Sequence, residues 1–118
     1  MKRVYTLLLV VALIFSLTAC SKNLVKGSIV SQSNDTMAQL DIMPQKLFEF
    51  AEIGDIVVVI AGDFKEEMPL VDELIAEEGK LQLFYDSNKH SLSICSYNQN
   101  FFETYNVSPD AKVEINKK

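Results

Sequence analysis

The chain has 118 residues, 11 basic and 16 acidic, for a formal net charge of −5, and 48% of its residues are hydrophobic. That length supports one small domain around a single core. The acidity, with Arg3 as the sole arginine, excludes nucleic acid as a principal partner, since phosphate is gripped by dense positive charge.

Lys2 and Arg3 precede an apolar run from Val4 to Leu17, which ends in Leu17-Thr18-Ala19-Cys20. The run is shorter than the ~20 apolar residues a helix needs to span a bilayer core. Small residues stand before a cysteine where a cleavage site belongs, and the segment resembles a bacterial lipoprotein signal. That resemblance implies that the Cys20 thiol receives a diacylglyceryl group, that residues 1–19 are removed, and that Cys20 becomes the first mature residue. Two acyl chains, at ~0.8 kcal/mol per buried methylene, suffice for stable anchoring. The expected address is the cell membrane, lipid-anchored and exposed outside the cytoplasm, on the extracellular face or in the periplasm. Removal leaves 118 − 19 = 99 residues, with 9 lysines against 16 acids. Cys95 is then the only thiol, so no intramolecular disulfide can form and stability rests on a hydrophobic core.

Residues 20–35 read as the lipidated cysteine and a polar tether, in which Leu24-Val25 and Ile29-Val30 offer an edge strand. A small β-rich domain is expected over 36–118. Ala38, Leu40 and Ile42 alternate with polar neighbours, which predicts a strand. Pro44 opens a helix in which Leu47, Phe48 and Ala51 follow at helical spacing. Gly54-Asp55 turns into the β-branched run Ile56-Val57-Val58-Val59-Ile60, read as a central strand buried on both faces. Gly62-Asp63 leads to a strand from Phe64 to Met68, closed by Pro69. Val71 to Glu78 is acidic and forms a helical turn or a loop ending at Gly79.

Leu81, Leu83 and Tyr85 alternate, Asp86-Ser87-Asn88-Lys89 turns, and His90 to Tyr97 returns as a hairpin partner. A second short helix runs from Asn98 or Gln99 to Tyr105. Ser108-Pro109-Asp110 then turns into a last strand through Val113 and Ile115. The order strand, short helix, aspartate turn, strand thus occurs twice. Leu47, Phe48 and Ala51 match Phe101, Phe102 and Tyr105 at an offset of 101 − 47 = 54. Two such halves about a pseudo-twofold axis predict a mainly β fold with two short helices, an α+β unit forming a closed or partly open small β-barrel.

Gly54-Asp55-Ile56-Val57-Val58, Leu92-Ser93-Ile94-Cys95, Asn100-Phe101-Phe102 and Asp110-Ala111-Lys112-Val113 resemble the C-terminal domain of the S-adenosylmethionine hydroxide adenosyltransferases. The resemblance covers residues 36–118 and rests on motif order and spacing. It implies a small β barrel-like unit that, in the full enzymes, packs on a larger catalytic domain with adenosine between the two. Nothing in this chain corresponds to that catalytic domain. Within the family segment L-E-I-A-x-N-x-G-N-A-A, Leu92, Ile94 and Asn100 match. Tyr97 and Gln99 replace an asparagine and a glycine, and Phe101 and Phe102 replace two alanines. Two phenylalanines fill space that small residues leave for adenine.

The chemistry-bearing side chains are few. His90 is the only histidine, so neither a catalytic triad nor a histidine-rich metal site is implied. Asp63, Glu66, Glu67, Asp72, Glu73, Glu77 and Glu78 lack the alternation of a calcium loop and read as a solvated face. Cys95 lies in an alternating strand and reads as a buried, inert thiol. Tyr97, Phe101, Phe102 and Tyr105 either pack in the core or form an exposed aromatic platform beside Asn98 and Asn100. No catalytic residue, metal or cofactor is expected. The reading is a non-catalytic envelope module whose partners are the membrane, through Cys20, and a protein or small molecule held by Tyr97, Asn98, Asn100, Phe101, Phe102 and Tyr105. The alternative is an accessory subunit of an adenosyl-transfer or S-adenosylmethionine-hydrolysing enzyme whose catalytic domain is a separate chain.

Overall fold

Alternating apolar residues in short runs, separated by Gly, Asn and Asp turns, bury one face when the strands curl around a shared interior. The computed structural model describes residues 23–34 and 36–118, with the backbone alone at 31–34. The signal segment and Cys20 lie outside the described residues. The strands are β1 (Leu24–Asn34), β2 (Met37–Leu40), β3 (Ile56–Ala61), β4 (Phe64–Val71), β5 (Leu81–Asp86), β6 (Ser91–Ser96) and β7 (Lys112–Lys117). Two short helices, α1 (Pro44–Phe48) and α2 (Phe101–Tyr105), precede β3 and β7. The strands close into a barrel in the order β1-β2-β6-β5-β4-β3-β7. The protein is therefore mainly β, with a small closed barrel. Its interior is filled by Val57, Val59, Met68, Leu70, Leu83, Ile94, Ile115 and their neighbours, capped by Leu47 and Phe101.

Three expectations change. Most of the segment read as a tether, Leu24–Asn34, is a barrel strand. β1 begins at Leu24, pairs Leu24–Ser28 with β7, and continues from Ile29 along β2. Closure demands a strand between β2 and β7, and Ile29 supplies its buried anchor. Secondly, β3 is covered on one face only. Val57 and Val59 are fully buried, while Ile56 is 40% exposed and Val58 and Ile60 are half-buried. A single-layer barrel has one inside, and no element among the described residues packs over this outer surface. Thirdly, β4 does not stop at Pro69. The proline, which has no N–H to donate, sits opposite Ile56 at the end of the β3 ladder. Leu70 and Val71 then pair in parallel with Leu83 and Phe84 of β5.

Strand register defines an internal axis. Ala38 pairs with Ile94 between β2 and β6, and Val59 with Ile115 between β3 and β7. Both pairs are 56 positions apart (94 − 38 = 115 − 59 = 56), and all four side chains are fully buried. A half-turn about the line joining these pairs exchanges β2 with β6 and β3 with β7. Turn hydrogen bonds obey the same offset: Asp55 N–H donates to the Glu52 carbonyl at 3.0 Å, and Ala111 N–H to that of Ser108 at 3.1 Å.

The helices keep it loosely. Leu47 lies in the last turn of α1 whereas Phe101 opens α2, so the match at 54 does not join equivalent positions. The long β1 serves both neighbours by itself. In the second half its counterpart is split, with β4 against β3 and β5 against β6. The acidic segment 72–80 is the chain inserted at that break, and it is a loop rather than a helical turn.

Candidate functional site

Asn100 starts α2 by accepting the Glu103 N–H on Oδ1 at 3.0 Å, and Asn106 ends it in the left-handed region at φ 54°. The chain then dips to bury Val107, and Ser108 Oγ donates to Asp110 in the next turn. Opposite stands the β3–β4 hairpin, whose Gly62 takes φ 64°. Between them lies an open cleft of about 520 Å³. Phe64, Val107 and Ala111 give it apolar surface, while Asp63, Lys65, Glu66, Thr104, Asn106 and Ser108 give it polar groups. Tyr105 stands half-buried in its wall, edge-on to Phe64 at 5.3 Å and beside Phe101 at 5.7 Å. The ring is held by these contacts, so its position at the cleft is pre-set.

The six residues expected to form one binding surface are divided by the fold. Phe101 is fully buried and Phe102 is 8% exposed. No aromatic platform exists there, because the barrel interior needs large side chains at that end and Phe101 meets both Phe64 and Phe102 edge-on. Asn100 is occupied as the helix cap. Tyr97 is half-buried and Asn98 exposed, with Asn98 in the left-handed region at φ 56°. Both flank the acidic loop, since Gly79 N–H donates to the Tyr97 carbonyl and Tyr97 N–H to that of Lys80. Tyr105 alone lies in the cleft. Asp63, Thr104, Asn106 and Ser108 had no motif to mark them; they converge because a hairpin and a helix end meet in space.

The internal axis generates a second cleft of about 510 Å³. It is lined by Phe48 to Glu52, Asp55, Lys117 and Asn23. Every one of these except Asn23 maps onto the first cleft through the offset of 56: 48–52 onto 104–108, 55 onto 111, and 61 onto 117. The clefts lie on opposite rims, because β3 enters at Ile56 beside the α1 turn and leaves at Ala61 beside the α2 turn. That strand spans about 17 Å at ~3.3 Å per residue. Asn23, immediately before β1, belongs to the α1 rim.

The remaining polar groups are structural. Gln82 is fully buried; its Oε1 accepts the Ile75 N–H at 2.7 Å and its Nε2 donates to the Ile75 carbonyl at 3.1 Å. Strand alternation assigns Gln82 to solvent, but the acidic loop folds over it. His90 takes φ 53° in the β5–β6 turn, and its Nδ1 lies 3.1 Å from the Tyr85 hydroxyl. Cys95 is buried, and desolvation pushes its thiol above the usual range. Among the described residues no three His, Cys, Asp or Glu side chains converge to hold a metal ion. No buried side-chain polar atom among them lacks a hydrogen bond.

No family model and no curated relative matches the chain. Among solved structures, the chain is similar to an uncharacterised conserved protein from Thermotoga maritima, at 16% identity and a TM-score of 0.71. The match covers 80% of this chain and 36% of that one, so the barrel recurs as part of a longer protein. At that identity the likeness concerns the fold alone.

Proposed function

We propose that this protein is a lipid-anchored, non-catalytic binding module of the cell envelope and that the Tyr105 cleft takes its ligand or partner. The observation that carries the reading is the separation of the two rims. Cys20 stands three residues before Asn23, so an acylated Cys20 would hold the α1 rim close to the bilayer and leave the Tyr105 cleft facing away. A fixed aromatic ring beside hydroxyl, amide and carboxylate groups suits a polar ligand with one flat face.

Two measurements test this. Labelled palmitate should enter the native protein and not Cys20→Ala. Thermal-shift screening should yield ligands whose effect disappears in Tyr105→Ala; ligands that stabilise both proteins equally would remove the cleft from the argument.

The second reading, an accessory domain working with a separate catalytic chain, is favoured by the recurrence of this barrel inside a longer protein. Under it, the purified protein alone leaves S-adenosylmethionine intact. Adenosine then forms only when a catalytic partner is added.

A further inference from the structure

We infer that the α1 rim is a bilayer-seating surface on which the barrel rests, an inference that depends on acylation of Cys20. The first described residue, Asn23, is three positions from Cys20, a reach of no more than about 11 Å for extended chain. β1 starts one residue later and is locked by its ladder, with Leu24 opposite Asn116. The rim around this point is defined by paired residues, Val57 opposite Lys117 and Ile56 opposite Pro69. The turn before β3 is tied to it as well, since Gly54 N–H donates to the Leu70 carbonyl and Leu70 N–H to that of Asp55. A barrel fastened so closely to its acyl chains cannot turn this rim away from the headgroups.

What the rim presents fits an interface of lipid headgroups. Ile53 is 43% and Ile56 40% exposed, and they are two of the few large apolar side chains that the fold leaves open. Lys117 is exposed on the same rim, and Lys118 follows it, paired with Glu67 at 2.9 Å. Glu49 and Glu52 lie there too, so attraction to anionic lipid is weak and the seat depends on apolar contact and forced proximity. The opposite rim has Asp63 and Glu66 at the β3–β4 turn and one exposed valine nearby, Val30, next to Ile29 and its bond to the Ala111 carbonyl.

The chain has no tryptophan, which makes a single introduced indole a clean depth probe. Full-length Ile53→Trp and Asp63→Trp proteins are expressed, acylated, and reconstituted in phosphatidylcholine vesicles with brominated or plain acyl chains. Mass spectrometry of the amino-terminal peptide first establishes the diacylglyceryl group. Ile53→Trp emission should fall by about twofold or more in brominated vesicles, while Asp63→Trp emission stays unchanged. Equal quenching at both sites, or none at Ile53→Trp, with the acyl mass present, overturns the seat and leaves the anchor standing. Absence of the acyl mass overturns the anchor itself. Ile56→Trp repeats the measurement should Ile53→Trp fail to fold.

Discussion

Val59 lies directly opposite Ile115 across the β3–β7 ladder, and the two occupy the same position in the two halves of the chain. Both are fully buried, so each half contributes one side chain to the interior at the internal axis. Ile115→Ala should cost ~2–5 kcal/mol in urea unfolding, the range for deleting a buried isoleucine. Val59→Ala should add less than its own single-mutant cost when combined with it, because both enlarge one cavity. Strict additivity would mean the pair does not share a packing site.

Gln82 holds the inserted acidic loop through Ile75, and its amide has no access to water. Gln82→Ala leaves the Ile75 backbone groups without these partners, at ~1–3 kcal/mol. Hydrogen exchange should rise across 72–80 while β3 and β7 keep their protection. Faster exchange throughout the barrel would show that the loop is part of the cooperative core.

A side chain at Gly27 requires its neighbours to shift. A methyl group there meets the Asp41 carboxylate and Ile42, and that same carboxylate accepts the Ser28 N–H at 2.7 Å. Gly27→Ala should therefore destabilise by ~1–3 kcal/mol, measured by chemical denaturation. Unchanged stability would mean that β1 and the Asp41 turn can part at no cost.

Much of the barrel was legible in the chain, and what escaped did so for definable reasons. Alternation at Ala38-Leu40 and Val113-Ile115 marks strands because the residues between them, Gln39 and Glu114, stay partly open to water. Leu81-Leu83 alternates although the intervening Gln82 is buried. β1 was obscured because its pattern is diluted by serines and by a glycine, and its pairing is dictated by closure rather than by its own hydrophobicity. The β3 run is apolar throughout, and composition cannot tell a strand covered on both sides from one whose outer valine and isoleucine stay half open. Tyr105 lines the cleft, yet half of that lining comes from a hairpin some forty positions earlier. No local pattern encodes that encounter.

Cys95 gives a pH prediction. Burial raises its thiol in the folded state above the unfolded value near ~8.5. The unfolded chain releases that proton first, so this contribution to stability is complete below the unfolded value and is lost as pH rises through the folded one. Cys95→Ala should flatten the alkaline decline in unfolding free energy. A thiol reagent at pH 8 should leave the native protein unmodified and label it fully in urea; rapid native labelling would contradict the burial.

Each of the seven strands has a neighbour on both sides, although β4 meets β5 only at Leu70 and Val71. Proteins confined to a surface meet one another at high local density, where an unsatisfied strand would anneal to its copy and seed a growing fibre. Here closure leaves no strand among the described residues with a wholly unpaired side. Closure of the barrel thus limits how readily crowding zips its copies together.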